Sequence, residues 1–147
     1  MKPSRFNIRV YGIWISAGRL LVSEEIIRGQ RVIKFPGGGL ELGEGTIEGL
    51  QREWREELDL DIEVLGHFYT TDFFQPSAFD DSQVISIYYL VQADASLPLK
   101  NLQANERSFW LPLNELSEDS FTLPIDRLVG RMLANGSTMH GDYRTTL

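Results

Sequence analysis

Three glutamates crowd one stretch of this chain and limit what it can fold into. Glu53, Glu56 and Glu57 are separated by three positions and by one position. Because successive residues of an α-helix are rotated by about 100°, all three carboxylates fall on one face of a helix. Apolar residues at helical spacing define a second face, roughly 115° away. They are Ile47, Leu50, Trp54 and Leu58. The pattern predicts an amphipathic helix that packs on one side and presents an acidic cluster on the other.

Gly49 falls between the carboxylates on this predicted helix. A glycine in a helix interior costs roughly 1 kcal/mol relative to alanine, so helix stability does not favour it there. A residue without a side chain leaves room for an ion or a substrate to approach the backbone. We therefore expect Gly49 to open the acidic face to a ligand.

The acidic face needs a counter-charge. Three carboxylates this close repel one another at pH 7, and Arg52 and Arg55 are the cations within the run. A hard divalent cation would neutralise them, since Mg²⁺ and Mn²⁺ take oxygen ligands and Mg²⁺ commonly joins carboxylates to substrate phosphates. The alternative for such a charge run is a solvated helix face. The helix predicts a Mg²⁺ or Mn²⁺ site and phosphoryl chemistry.

The residues around the helix resemble the Nudix box. Gly38 is followed after five residues by Glu44, and after seven more by Arg-Glu-apolar-x-Glu-Glu and an apolar residue, so the match runs to Leu60. One position departs from the family, because Asp59 stands where a glycine usually follows the helix. Aspartate tolerates left-handed backbone better than most residues, so we expect an intact metal site at a modest cost in stability.

The resemblance implies roles for the box residues. The metal ligands, which the spacing also indicates, are Glu53, Glu56 and Glu57. Glu53 could instead serve as the general base or orient it. In the family a glycine carbonyl joins the metal shell, and by position Gly38 is the candidate. Glu44 and Arg52 usually pair to hold the loop against the helix, so we interpret Arg52 as structural.

A carboxylate outside the box often acts as general base or extra metal ligand in this family, at a position that varies. Glu106, ahead of a predicted strand, is the candidate here. Asp80 and Asp81, in a predicted loop, are the alternates. A solvated surface acid describes each of them equally well. The predicted catalytic residues are therefore Glu53, Glu56, Glu57 and Glu106.

The substrate-binding candidates flank the box. Arg9 and Lys34 lie near the expected mouth of the site, Gly37 brings its backbone close to a ligand, and Glu41 is close to the metal loop. Further cations near the mouth are Arg5, Arg28 and Arg31, although isolated cations are usually solvated. Aromatic candidates for stacking on a base are Phe73, Phe74, Phe79 and Tyr88, although aromatic residues at strand spacing are more often core.

The order of predicted elements indicates an α/β protein. Strand patterns cover Asn7 to Ile15, Leu20 to Val22, Val32 to Phe35, Ile62 to Phe74, Gln83 to Ala93 and Phe109 to Leu113. Ser23 to Arg31 is predicted to form a loop or a loose hairpin, and loops are predicted at the glycines after Pro36 and over Gln75 to Ser82. A short helix starts over Asn114 to Leu116, and a final helix spans Pro124 to Ala134. The elements predict a mixed central β-sheet covered by helices on both faces, and the Nudix resemblance implies the same α/β/α sandwich. Residues 1–147 are predicted to form a single domain with a loose tail over residues 137–147.

Composition excludes several classes of function. The chain has no cysteine, which excludes disulfides, zinc–thiolate sites and thiol catalysis. A formal net charge of -7 argues against nucleic acid as a partner. There is no apolar signal core and no apolar run near 18 residues, so we expect a cytoplasmic protein with no membrane partner. His67 and His140 lack partners at ligand or triad spacing and are interpreted as structural or surface residues.

Together these observations predict a metal-dependent hydrolase that cleaves the diphosphate linkage of a nucleoside diphosphate joined to another moiety. Pro76 lies sixteen residues after Leu60, where ADP-ribose-type members of the family often carry proline. A sugar nucleotide or a nucleoside triphosphate remains open. The alternative is a catalytically silent Nudix-fold module that senses a nucleotide metabolite, and the complete set of box glutamates favours the enzyme. A prenyl diphosphate isomerase is disfavoured because the chain has no cysteine. Many relatives are dimers, so a homodimer is possible.

Overall fold

Two four-stranded β-sheets form the centre of the fold, which a computed structural model describes for residues 2–136. The first sheet contains Arg5–Ile13 (β1), Gly37–Gly39 (β5), Glu63–Thr70 (β6) and Ser82–Gln92 (β7). Its strand order is β5-β1-β7-β6, with β1 and β7 parallel and the other two pairings antiparallel. The second sheet contains Ile15–Ser16 (β2), Arg19–Ile27 (β3), Gln30–Lys34 (β4) and Glu106–Pro112 (β8), and β3 pairs antiparallel with the other three.

The helices cover opposite faces of these strands. Thr46–Leu58 (α1) and Pro124–Ala134 (α2) are the two α-helices of the described chain, and short 3₁₀ turns span Leu113–Glu115 and Glu118–Ser120. Side chains alternate along a strand, so neighbouring residues of β1 point to different cores. Val10 packs in the core that α1 covers, and Tyr11 packs in the core that α2 covers. The predicted α/β sandwich with a mixed sheet is confirmed.

Of the two alternatives predicted for Ser23 to Arg31, a loop or a loose hairpin, the structure contains the hairpin, and its strands are regularly paired. Strand β3 continues to Ile27, and a tight turn at Arg28 and Gly29, both with positive φ, leads directly into β4. Cross-strand ion pairs explain the difference, because Glu24 bonds Arg31 on β4 and Arg107 on β8. Because these charges are paired with residues on other strands, the polar sequence of the segment does not indicate that it is a strand.

Other element boundaries also differ from the prediction. The glycines after Pro36 form strand β5, which pairs with β1 in the register Val10 to Gly38, where the sequence predicted a loop. Strand β8 begins at Glu106 instead of Phe109, so Glu106 is inside the strand and not ahead of it. Strand β6, Glu63–Thr70, covers the first part of the predicted Ile62 to Phe74 segment and ends before Phe73 and Phe74. Helix α2 has the predicted bounds. The predicted loose tail and His140 lie outside the described residues.

Within residues 2–136, no helix is both long enough and apolar enough to span a membrane.

Candidate active site

Packing of helix α1 orients its acidic face. Leu50, Trp54 and Leu58 are buried in the core beneath the helix, as the apolar stripe predicted, whereas Ile47 is largely exposed. The indole Nε1 of Trp54 donates a hydrogen bond of 3.1 Å to the Pro36 carbonyl, which fixes the helix to the chain entering β5. The Glu53 side chain consequently lies against the glycine strand.

The glycine strand approaches the helix at Gly38. A Cβ atom on Gly38 would lie 2.6 Å from Oε2 of Glu53, closer than real contacts allow. A Cβ on Gly37 would collide with the Val10 carbonyl, and the φ of Gly37 is +150°. Glycine at these positions lets the backbone of β5 and the Glu53 carboxylate come together. The predicted proximity of Gly38 to the acidic face is therefore present.

Arg52 joins the loop before the helix to the acidic face. Its guanidinium donates to both oxygens of Glu44, at 2.9 Å and 2.7 Å, and to the Gly39 carbonyl at 3.0 Å. It also contacts Glu53 at 3.0 Å and Glu56 at 3.2 Å. The Arg52 guanidinium and the Glu41 amide hold the pKa of Glu44 at about 2. The predicted Glu44–Arg52 pair is confirmed.

The expectation for Gly49 is wrong. A Cβ atom on Gly49 would lie 2.6 Å from Cδ1 of Leu40 and 2.9 Å from Oε1 of Glu44. Gly49 is buried, and its missing side chain makes room for these two residues. The glycine therefore lets the loop close against the helix, and it does not open the helix to an ion.

Glu57 and Glu106, both half-buried, form the inner end of the acidic cluster. Burial, with the neighbouring carboxylates of Glu106 and Glu53, raises the pKa of Glu57 to about 9 despite the opposing effect of Lys34. Burial likewise raises the pKa of Glu106, against the effect of Lys34 and with that of Glu25. The structure therefore brings Glu106 from β8 to the box helix, as predicted for a carboxylate from outside the box.

Lys34 is a buried ammonium beside this cluster. Its side chain is 4% exposed, and its Nζ lies 3.3 Å from the Gly37 carbonyl and 3.6 Å from Oε2 of Glu25. Burial acts against the charged form, yet Tyr11 and then Glu57, Glu106 and Glu25 raise the pKa of Lys34 above its usual range. Lys34 stays charged and offsets part of the carboxylate repulsion.

The donor chemistry of the cluster suits a hard cation. Among the described residues, no three acidic or imidazole side chains already converge as metal ligands, and Arg52 contacts Glu53 and Glu56 directly. Two buried carboxylate oxygens, Oε2 of Glu57 and Oε1 of Glu106, have no hydrogen-bond partner within the described part of the chain. Buried oxygens without partners are costly unless a cation or donor meets them. The residues present therefore fit Mg²⁺ or Mn²⁺.

A cavity of about 520 Å³ adjoins the acidic cluster. Arg9 and Lys34 line it, and the same two cations interact electrostatically with carboxylates of helix α1, Arg9 with Glu53 and Lys34 with Glu57. Its remaining walls come from β1, β3 and β7, the loop over residues 75–80 and the start of α2. A cavity this size with a few convergent polar groups is typical of a small-molecule site.

The cavity is also lined by a buried carboxyl that the sequence did not predict. Asp126 is 3% exposed, and its Oδ1 accepts a hydrogen bond of 2.6 Å from the Tyr88 hydroxyl. Burial raises the pKa of Asp126 to about 6. A signal was available, because Asp126 falls on the same helical stripe as the buried Val129 and Leu133. Glu25 and Tyr11 were missed too, and nothing local in the sequence marks them.

The other predicted substrate residues lie at different depths. Arg9 donates from Nε to the Tyr11 hydroxyl at 2.6 Å and is half-buried. Gly37 contacts Lys34 through its carbonyl but does not line the cavity. Glu41 is at the surface, 3.7 Å from Nη1 of Arg52, and also does not line the cavity.

Asp80 and Asp81, the other candidates for a carboxylate from outside the box, have partners of their own. Both form ion pairs with Arg5, and Oδ1 of Asp80 also accepts a hydrogen bond from the Ser82 amide. Asp80 also lines the cavity. His67 contacts the Thr70 hydroxyl at 2.7 Å, in keeping with a structural role. Among the aromatic candidates, the cavity is lined by Phe79 and Tyr88 and not by Phe73 or Phe74.

Comparison with known proteins gives a consistent result. The chain matches a family model described as a NUDIX domain over residues 5–131. It is similar to a NUDIX hydrolase structure from Nitrosomonas europaea, with a TM-score of 0.73 and 20% identity over 93% of this chain and 94% of that chain. It is also similar to a MutT NUDIX hydrolase from Burkholderia pseudomallei, with a TM-score of 0.66 and 19% identity over 86% and 96% of the two chains. The structure of a MutT protein from Methanosarcina mazei Go1 is similar as well, with a TM-score of 0.67 and 19% identity over 92% of this chain and 96% of that chain. No curated protein matches the chain. At these identities the structures establish a shared fold.

Proposed function

Because the chain belongs to the NUDIX family, we propose that it is a metal-dependent hydrolase that cleaves the diphosphate linkage of a nucleoside diphosphate derivative. The prediction of a Nudix-type pyrophosphohydrolase acting on phosphoanhydride bonds is confirmed at the level of the family. The substrate, the metal and the residue roles below are our proposals.

The observation that carries the proposal is the position of the acidic cluster beside the cavity. The cluster supplies oxygen donors, and the cavity wall nearest to it supplies two cations, Arg9 and Lys34. A diphosphate substrate needs both, because its oxygens are anionic at the reacting centre and along the rest of the linkage. Phosphates at this junction would meet the cations, and the remainder of the substrate would enter the cavity.

The metal would be held by carboxylates of helix α1 and by the glycine strand. Its ligands would be Glu53, Glu56, Glu57 and the Gly38 carbonyl. When bound, Mg²⁺ or Mn²⁺ would neutralise phosphate charge and make a water more acidic. Arg52 keeps Glu53 and Glu56 on the face they share, and its pairing with Glu44 holds the loop in place.

Glu106 is the proposed general base. Its carboxylate would take a proton from the attacking water, the water oxygen would bond to phosphorus, and the bridging oxygen would leave with its electron pair. Half-buried carboxylates with raised pKa are suited to proton transfer near neutral pH. Glu53 is the alternative for this role, as base or as the residue that orients it.

The substrate class follows from the cavity lining. We propose that Arg9 and Lys34 contact phosphates, with Gly37 and Glu41 at the edge of the phosphate site. Pro76 lines the cavity, which supports an ADP-ribose-like substrate. A sugar nucleotide and a nucleoside triphosphate are the other substrates to test. The single domain, the cytoplasmic location and the possible homodimer stay predictions.

The test is hydrolysis of a small panel of compounds. It contains ADP-ribose, a sugar nucleotide, a dinucleoside polyphosphate and common and oxidised nucleoside triphosphates, each with Mg²⁺, Mn²⁺ or EDTA. We expect metal-dependent release of phosphate or a monophosphate from one of them. Tight binding without release from any of them would instead support the silent sensing module.

A variant pair identifies the site. Glu57→Gln removes a charge with little change in volume, and we expect turnover to fall by orders of magnitude while the fold is kept. Glu115→Gln changes an exposed acid in a 3₁₀ turn and serves as the matched control. Activity of Glu57→Gln near that of Glu115→Gln would show that the metal assignment is wrong.

A further inference from the structure

We propose that Asp59 is a positioning residue for Glu106, because it fastens the segment over residues 100–103 to the end of helix α1. Asp59 occupies the position where the sequence departs from its family. The inference rests on the proposed function, in which Glu106 takes part in the reaction.

The end of helix α1 is capped from a distant part of the chain. The last carbonyls of an α-helix have no partner within the helix. Here the Glu57 carbonyl accepts a hydrogen bond of 3.1 Å from the Leu102 amide, and the Glu56 carbonyl accepts one of 3.4 Å from the Gln103 side chain. The segment over residues 100–103 therefore lies directly against the turn that carries two of the predicted metal ligands.

Asp59 adds a side-chain contact to this arrangement. Its backbone is left-handed, with φ 55° and ψ 40°, and its amide donates to the Arg55 carbonyl at 3.1 Å. Its Oδ2 accepts a hydrogen bond of 3.0 Å from Nζ of Lys100. Glycine would adopt the left-handed conformation more readily, but it could not hold Lys100. The Asp59 side chain therefore adds a contact between the helix end and residue Lys100 that glycine at this position could not make.

The fastened segment leads directly to Glu106. The Glu106 amide donates to the Gln103 carbonyl at 3.2 Å, and the Ser108 amide donates to Oδ1 of Asn101 at 2.8 Å. The start of β8 is thus bonded to the same segment that Asp59 and the helix carbonyls hold. The pairing of Glu106 with Glu25 holds the strand from one side, and we infer that this segment positions the Glu106 side chain beside Glu57 from the other.

The contacts at the helix end lie outside the acidic cluster. Glu57 and Glu106 each have a buried carboxylate oxygen without a hydrogen-bond partner in the described part of the chain. Contacts between Asp59, Lys100 and the helix carbonyls hold the two chain segments together without adding a group that would compete for these oxygens.

The experiment compares Asp59→Gly with Asp59→Asn. Asp59→Gly removes the contact with Lys100 and suits the backbone, so we expect unchanged or higher thermal stability with kcat lowered about two- to fivefold, the range for an exposed ion pair. Asn tolerates the same backbone and keeps an oxygen that accepts from Lys100. We therefore expect Asp59→Asn to recover most of the lost kcat, with KM little changed in both variants.

A double-variant cycle separates this inference from the proposed function. If Asp59 acts through Glu106, Asp59→Gly should lower kcat in the wild-type chain and have no further effect in the Glu106→Gln chain. An equal decrease in both backgrounds, or no decrease in the wild-type chain, would overturn the inference alone. A Glu106→Gln variant with wild-type kcat would remove Glu106 from the reaction and with it the role of Asp59.

A second readout does not depend on activity. The Leu102 and Glu106 amides donate the hydrogen bonds that hold the segment, so their hydrogen exchange, followed by NMR, reports on the tether. We expect faster exchange of both amides in Asp59→Gly than in Asp59→Asn. The Thr71 amide, bonded to the Ser86 carbonyl, is the control. Equal exchange of the Leu102 and Glu106 amides in the two variants would overturn the inference.

Discussion

Asp126 makes folding stability depend on pH in a direction opposite to that of most carboxylates. It lies in the first turn of α2, and the cavity borders it. Burial raises its pKa from 3.8 to about 6, although Tyr88, Lys34 and Arg9 all favour the ionised form. A carboxyl with a raised pKa stabilises the folded chain below pH 3.8, and this contribution is lost as the pH rises through 6.

The magnitude follows from the shift of the pKa. A rise of about 2.2 units at about 1.36 kcal/mol per unit corresponds to roughly 3 kcal/mol. Integrating the proton linkage places about 1.4 kcal/mol of this loss between pH 5 and pH 7.5. The remainder falls below pH 5, where other carboxylates also titrate.

Asp126→Asn removes this dependence. The asparagine is neutral at every pH, and its amide oxygen can still accept the hydrogen bond from Tyr88. We expect the variant to be more stable than the wild type at pH 7.5, and its advantage to be about 1.4 kcal/mol larger there than at pH 5. Urea denaturation at both pH values measures the two free energies of unfolding.

Glu115→Gln is the control for the pH dependence of Asp126→Asn. Glu115→Gln, at an exposed position, should show no comparable change between the two pH values. A stability difference between Asp126→Asn and the wild type that is the same at pH 5 and pH 7.5 would refute the reasoning. It would mean that the folded chain already accommodates the ionised carboxylate.

Three further predictions concern the box and its metal. Gly38→Ala places a Cβ against the Glu53 carboxylate, so we expect kcat to fall by about 100-fold, the scale of a 1 Å misplacement. Gly39→Ala is the control, because its Cβ would be 3.7 Å from the nearest atom, and it should keep kcat in the same assay. Glu44→Gln removes the partner of Arg52; because a pKa of about 2 keeps Glu44 ionised, urea denaturation should show a loss of stability that is constant from pH 5 to pH 8 and shrinks only as the pH falls below 4.5. EDTA should abolish turnover without loss of the circular dichroism signal, and added Mg²⁺ or Mn²⁺ should restore turnover; unfolding by EDTA would contradict the catalytic role of the metal.

Helix α1 could be predicted from sequence because its information is local. The apolar stripe and the acidic face are both periodic, and the fixed spacing of Gly38, Glu44 and Arg52 adds the loop that packs on the helix. Gly49 shows the limit of that information. Periodicity places it among the carboxylates, but only the tertiary structure shows that Leu40 and Glu44 occupy the space beside it.

The cavity depends on contacts between segments far apart in the chain. Tyr11, Tyr88 and Asp126 come from β1, β7 and α2, and no short window of sequence contains two of them. The regular pairing at the end of strand β3 was not predicted for a related reason, because Glu24 forms ion pairs with arginines on two other strands. Residues whose partners are distant in sequence carry no periodic signal, so a reading of local pattern misses them.

The parallel pairing of β1 with β7 sets the order in which this chain can assemble. Arg5 lies opposite Ser82, 77 positions later, whereas β3 and β4 are joined by a two-residue turn and can pair as soon as both are made. Pairings between distant segments form slowly because the loop-closure entropy must be overcome first. During synthesis on the ribosome, β1 can therefore pair with the whole of β7 only after the chain has been made through Gln92. Helix α1 is synthesised well before that point and has an incomplete sheet to pack on, so the functional site is completed late in folding.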